Sequence, residues 1–251
     1  MTDDIGRDVT IPDEVRRVVS LVPSLTESLA ATDRSLLVGA TDWCTHPGDL
    51  DVTRVVGTKN PDVGAVLGLQ PDVVLANAEE NREVDLDALR DAGAAVWVTD
   101  VRTVDQAFTS LARMLAACGL KPPSWLDDAR RAWGDVMPGP TRAAVVPIWR
   151  RPWMAVGSDT FTGDVLARLG VQNVLAGSPE RYPRFDPADL PAHDLVVLPT
   201  EPYEFSADDG PEAFGGKACA VVSGRHVTWY GPSMAEAPAL LTRQLAATVT
   251  R

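Results

Sequence analysis

The chain predicts an α/β protein of two lobes, each built on parallel sheet with its strand ends facing a shared ligand cleft, the two joined by a single linker helix. Three observations carry that expectation. Residues 69–102 read as strand, polar loop, helix, strand: DVVLA at 72–76 is a short β-branched run, Val84, Leu86, Leu89 and Ala92 recur at helical spacing before Gly93, and AAVWVT at 94–99 is a second strand. That order makes a βαβ unit, whose two strands are parallel. The second half repeats the logic, since Asp194 and LVVL at 195–198 echo DVVL at 72–75. Between the halves, residues 124–136 form a helical stretch fenced by Pro122-Pro123 and by Pro138-Gly139-Pro140, where proline prevents a helix from running on. The expected boundaries are 1–122 for the first lobe, 123–138 for the linker helix and 139–251 for the second lobe.

Taken in order, residues 5–15 read as an entry ribbon and VVSLV at 18–22 as the first strong strand. Ser24 and Glu27 make an S-x-x-E capping box for a helix reaching about Ala31. Residues 36–40 are a second strand that opens into Thr41-Asp42-Trp43-Cys44-Thr45-His46-Pro47, and Val55-Val56-Gly57 opens into Thr58-Lys59-Asn60-Pro61 before a short helix at 62–69. Residues 103–118 are an amphipathic helix stopped by Gly119. In the second half, strands are expected at 143–148, 155–156, 171–174, 195–198, 220–222 and 226–229, and helices at 161–169 and 234–249.

With 251 residues the chain is long enough to bury its own core. Cys44, Cys118 and Cys219 are odd in number, far apart and without a CxxC pair, which fits a reducing compartment and provides no zinc or redox motif. Met1-Thr2-Asp3-Asp4 is acidic and no long apolar run follows, so the expectation is a cytoplasmic protein without membrane insertion, or a periplasmic or extracellular one if a leader has been removed. A formal net charge of −12 opposes binding to nucleic acid, whose phosphates it repels. A monomer is expected. No GxSxG elbow, phosphate loop, HExxH or CxxC occurs, so no catalytic residue or intrinsic cofactor is assigned.

Ligands of open parallel sheets lie beyond the carboxyl ends of the strands, and the candidate contacts are drawn from there. In the first half these are Ser24 and Leu25, then Trp43, Cys44 and His46, Lys59 and Asn60, Asn77 and Glu79, and Arg102. Cys44 and His46 offer a soft donor and an imidazole. Two donors do not make a metal site, so they are assigned to cleft lining, with His46 the first candidate for an axial contact should the ligand be a cobalt or iron tetrapyrrole. Glu79 and Glu80 read either as paired carboxylates or, with Glu83, as the acidic first turn of a helix. In the second half the clusters Trp149-Arg150-Arg151-Pro152-Trp153 and Arg181-Tyr182-Pro183-Arg184 combine flat aromatic faces with guanidinium forks, a pairing suited to a large conjugated ligand bearing carboxylates. Asp159, Phe161, Glu201, Tyr203, Trp229 and Tyr230 complete the set, while Trp97, Trp125 and Trp133 are expected to pack.

Residues 17–27 (RVVSLVPSLTE), residues 69–74 (LQPDVV) and the mid-chain helix resemble the helical-backbone metal receptor superfamily, the class III periplasmic-binding-protein fold of vitamin B12, haem and ferric siderophore binding proteins of bacterial import systems. The resemblance covers nearly the whole chain in its order of elements. It implies two Rossmann-like lobes on one stiff helix, little hinge motion, and capture of a metal chelate (a cobalamin-like corrinoid, haem or other tetrapyrrole, or a ferric siderophore) for an ABC permease. Of the aromatic positions that embrace a corrin in such receptors, Trp43 and Tyr182 fit, whereas Lys59 and Asn77 depart. The two permease-docking glutamates fall at Gly64 and near Ala188 or Asp189, so at least one docking charge is absent. Two rival readings follow from the residues: a cytosolic chelatase-like enzyme acting through His46 or Glu79, and a regulatory or adaptor protein whose Trp/Arg loops bind a partner, since these residue types also dominate protein interfaces.

Overall fold

The computed structural model of the protein describes residues 1–250. The chain divides into two compact units: one contains Met1–Val101, Asp105–Asp127 and Tyr230–Pro232, the other Arg102–Val104, Asp128–Trp229 and the chain from Ser233 on.

The first unit is built on a five-stranded parallel sheet of β1 (Val18–Ser20), β2 (Leu37–Ala40), β3 (Thr53–Arg54), β4 (Val73–Asn77) and β5 (Val96–Thr99), in the order β3-β2-β1-β4-β5. All five residues of β4 and all four of β5 are buried. A parallel strand covered on both faces reads as an unbroken apolar run, which is why these two were visible in the sequence. Helices α1 (Pro23–Asp33), α2 (Val63–Gly68) and α3 (Glu83–Asp91) make the crossovers, and α4 (Val104–Ala117) follows β5. Gly93 ends α3 at a φ of 89°, a left-handed backbone that glycine adopts without a Cβ penalty.

In the second unit, β6 (Arg142–Val145), β9 (Val171–Asn173), β10 (Leu195–Pro199) and β11 (Ala218–Val222) form a parallel sheet in the order β11-β10-β6-β9. β7 (Pro147–Arg150) and β8 (Trp153–Ala155) form a separate antiparallel hairpin. α6 (Phe161–Arg168), α7 (Gly224–Thr228) and α8 (Ala237–Ala246) complete the unit, and α5 (Ser124–Gly134) carries the chain across the division between Asp127 and Asp128.

Several expectations are corrected. The first helix has no capping box: its N-cap is Val22, without a side-chain cap, and Ser24 and Glu27 are buried inside the helix. Residues 226–229 are not a strand. Although His-Val-Thr-Trp is β-branched and aromatic, Thr228 Oγ1 donates to Gly224 O at 2.8 Å and His226 Nδ1 meets Ser223 Oγ at 2.7 Å, closing a helical turn instead. Trp149–Trp153 is a hairpin rather than an open loop, and the entry ribbon reduces to a bridge between Thr2 and Asp8. The indoles expected to pack do so. Trp97 is fully buried, Trp125 Nε1 donates to Thr32 Oγ1 at 3.1 Å, and Trp133 Nε1 donates to Met234 O at 3.0 Å.

Candidate functional site

At the carboxyl end of the first sheet, β4 finishes in Asn77, and that side chain is wholly committed. Its Oδ1 accepts from the N–H groups of Glu79 and Glu80 at 2.8 and 3.0 Å, and its Nδ2 donates to Tyr230 Oη at 2.7 Å and to Thr99 O at 3.1 Å. Tyr230 Oη also meets Thr99 Oγ1 at 2.9 Å, and burial raises its pKa above the ordinary tyrosine value. A buried polar network of this kind is satisfied from within, so Asn77 and Tyr230 hold the strand ends together and leave no group for a ligand. Glu80 is exposed as a residue, yet desolvation of its carboxyl raises its pKa, with Lys59 opposing and Glu79 reinforcing the shift.

The loop after β2 separates its predicted residues. Trp43 stands out at 67 % exposed, with Gly57 beneath it, where a Cβ would approach the indole Nε1 to 3.6 Å. Lys59 and Asn60 are exposed, and Lys59 Nζ donates to the carbonyl of Glu79. His46 is half-buried, with Nδ1 at 3.2 Å from Thr45 Oγ1. Cys44, by contrast, is completely buried, its sulfur accepting from Thr26 Oγ1 at 3.0 Å and lying 3.1 Å from Thr41 Oγ1. Burial raises its thiol pKa despite those contacts, and it pushes Cys118 up to about 12 and, with Glu212, Cys219 up to about 11. A buried protonated thiol is no soft ligand, which corrects the assignment of Cys44. Leu25 and Ser24 are corrected for the same reason, being enclosed in α1 at 0 % and 4 % exposed. Among the described residues, no group of three or more His, Cys, Asp or Glu side chains is gathered for a metal ion.

In the second unit the two basic–aromatic clusters part company. Trp153 packs into a cluster with Phe205, stacked at 6.0 Å, Phe214 at 5.4 Å and Phe185 at 5.7 Å. Arg150 lies over the Trp153 ring at 5.5 Å and pairs with Asp209 and Glu212. Both are therefore corrected from ligand contacts to folding contacts. Tyr203 donates to Asp209 Oδ2 at 2.7 Å and packs its ring on Phe205, Phe161 is buried in the first turn of α6, and Trp229 Nε1 donates to Glu201 Oε2 at 3.1 Å. Trp149 remains 42 % exposed and Arg151 is exposed at the hairpin turn.

Residues 182–184 instead border a cavity of about 560 Å³, lined by Met154, Pro179, Glu180, Tyr182, Pro183 and Arg184 among others. Arg181 lies over the Tyr182 ring at 5.8 Å and donates from Nε to Asp159 O at 2.9 Å, and Arg102 Nη1 donates to Asp159 Oδ2 at 2.9 Å. Sequence reasoning missed Met154 and Glu180 in the cavity, and Asp209 and Glu212 as the partners that retire Arg150. The turn signal Asp208-Asp209-Gly210-Pro211 marks only a loop.

No family model matches the chain. It is 29 % identical over 191 residues to an uncharacterized ABC transporter substrate-binding lipoprotein of Bacillus subtilis (strain 168), covering 69 % of this chain and 60 % of that protein. It is 24 % identical over 184 residues to a vitamin B12-binding protein of Pectobacterium carotovorum, covering 67 % of this chain and 65 % of the other. The chain thus spans less than two thirds of the length of either relative. By structure it is similar to the periplasmic vitamin B12 binding protein of Vibrio cholerae, with TM-score 0.71, 16 % identity and coverage of 94 % of this chain and 98 % of that one. It is also similar to a periplasmic heme-binding protein from Roseiflexus sp. RS-1, with TM-score 0.75, 16 % identity and coverage of 92 % and 98 %. These relatives are a lipoprotein and periplasmic proteins, which lends no support to the expected cytoplasmic location. Sequence relatives and fold neighbours agree: the chain is a homologue of substrate-binding proteins of the ABC-transporter and vitamin B12-binding type, and it carries the fold of the class III periplasmic binding proteins.

Proposed function

We propose that the protein is a solute-binding protein, not an enzyme, which captures a metal-containing small molecule for an ABC importer and works outside the cytoplasm. The ligand class is a cobalamin-like corrinoid, another tetrapyrrole or a ferric siderophore. The observation that carries this reading is the likeness of fold, over more than nine-tenths of the chain, to proteins that bind vitamin B12 or heme. The chemistry of the exposed and half-buried candidate residues supports it. Trp43 and Trp149 offer aromatic faces, His46 an imidazole, and Lys59, Arg102, Arg151 and Arg181 positive charge in a chain of net charge −12. Such groups bind a flat anionic chelate by stacking and charge-assisted hydrogen bonds. Tyr182, Asn60, Glu79 and Asp159 complete the proposed contact set.

The test is titration of the purified chain with cyanocobalamin, hemin and ferric siderophores, followed by absorbance and tryptophan fluorescence. Saturable binding at micromolar concentration or below is expected, with quenching reduced in Trp43→Ala. The absence of any spectral change with all three ligand types would overturn the reading.

A further inference from the structure

We infer that Asn81 is a positioning residue for the ligand face of the first unit: acting through Thr58, it holds the turn of residues 56–61, which carries Lys59 and Asn60 beside Trp43, in a shape that Val56 by itself opposes. This rests on the solute-binding reading above and adds to it what keeps three of the proposed contacts in place. Among the described residues, Val56, Gln70 and Asp159 are the non-glycine positions with positive φ, and Val56, at 68°, is the β-branched one. A branched Cβ crowds the backbone in that region, so such a residue stays there only where its surroundings force it. Burial of the side chain is not the force, because Val56 is 44 % exposed. The force is hydrogen bonding around the turn.

Val56 bridges to Pro61 across the turn, its carbonyl accepts from Asp42 N at 2.8 Å, and Asp62 N donates to Val55 O at 3.0 Å. Those bonds fasten the base of the turn. Its tip is fastened by Asn81, which is 5 % exposed. Asn81 Nδ2 donates to Thr58 O at 2.8 Å, while Asn81 Oδ1 accepts from Asn77 N at 2.9 Å and Asn81 N donates to Asn77 O at 3.0 Å. A backbone N–H only donates and a carbonyl only accepts, so the side-chain amide has one orientation that serves both neighbours. Asn77 is itself held by Tyr230 and Thr99, and the turn is thereby tied to the ends of β4 and β5. Lys59 Nζ adds a second tie, to Glu79 O. A ligand therefore meets Trp43, Lys59 and Asn60 already in place, and the cost of ordering that loop falls on the fold rather than on binding.

The experiment titrates the full chain with hemin, cyanocobalamin and ferrichrome by calorimetry and carries forward whichever binds. Asn81→Asp keeps the acceptor for Asn77 N and removes the donor to Thr58 O, and its affinity should fall about tenfold, the scale of one lost hydrogen bond. Adding Val56→Gly should restore most of that loss, because glycine adopts the left-handed backbone without the latch. An asparagine that merely supported the fold would not be rescued by a change at Val56, to which only the turn connects it. Asn81→Asp binding as tightly as the parent, or showing no recovery with Val56→Gly, overturns the inference while the solute-binding reading stands. Should Asn81→Asp fail to fold, amide exchange at Asp62 in the ligand-free protein decides. Val56→Gly should slow it, since a relaxed turn opens less readily, and unchanged or faster exchange overturns the inference. If none of the three chelates binds the parent, the solute-binding reading falls and the exchange measurement alone judges the latch.

Discussion

Two segments of the second unit look alike on paper, Trp149–Trp153 and Arg181–Arg184, each pairing guanidinium groups with aromatic rings. Their structures use that chemistry in opposite ways. In the hairpin, Arg150 is only 19 % exposed, lies on Trp153 and pairs with Asp209 and Glu212, so it caps the aromatic cluster of Phe205 and Phe214. In the second segment, Tyr182 and Arg184 face a cavity, and Arg181 lies over the Tyr182 ring and donates to the main-chain carbonyl of Asp159. Arginine availability is thus a property of what the rest of the chain brings to it, and residue type alone says little.

The largest effect expected from this contrast belongs to Trp153→Ala. Deleting a ring packed on three phenylalanines should cost about 3 kcal/mol of stability, read as a shift in denaturant midpoint; an unchanged midpoint would show that the cluster is not a core. Arg150→Ala should cost about 2 kcal/mol, since it removes hydrogen bonds to two carboxylates and the cover over Trp153. A variant that is fully stable but loses chelate affinity would return Arg150 to the ligand site. Arg181→Ala should behave in the opposite manner, with stability changed by less than about 1 kcal/mol and affinity for the metal chelate reduced in calorimetric titration. Loss of fold without loss of affinity would break the distinction between the two segments.

The smallest effect is in pH. Burial pushes the Glu212 carboxyl up, but the backbone N–H of Gly210, its own N–H and the Arg150 guanidinium together outweigh this and leave its pKa below the ordinary value. A carboxylate depressed in the folded state adds stability that is present above the unfolded value, about 4.3, and is lost as pH falls through the folded one. Unfolding monitored by tryptophan fluorescence from pH 6 down to pH 3, as an order-of-magnitude window around that value, should show the loss, and Glu212→Gln should flatten it. Equal pH profiles for the two proteins would remove Glu212 from the hairpin's support.

How much was legible follows from the same physics. β4 and β10 were visible because five buried residues in a row leave no other reading. Residues 226–229 were misread because local β propensity yielded to tertiary partners, with His226 Nε2 meeting Glu236 Oε1 at 2.9 Å. Among the candidate site residues, Trp43 and Arg151 kept the exposure their loops suggested. Cys44 and Asn77, which look equally chemical in sequence, were consumed by Thr26, Thr41, Thr99 and Tyr230.

By itself the sequence determined the α/β class and the parallel strands, because short apolar runs and helix periodicity are local properties that burial enforces. Only the tertiary structure decided which polar side chains remain for a ligand. Arg150 is withdrawn by Glu212, 62 residues further along the chain, and Asn77 by Tyr230, 153 residues away; satisfying a buried hydrogen-bonding group depends on distance in space, which one-dimensional spacing does not encode.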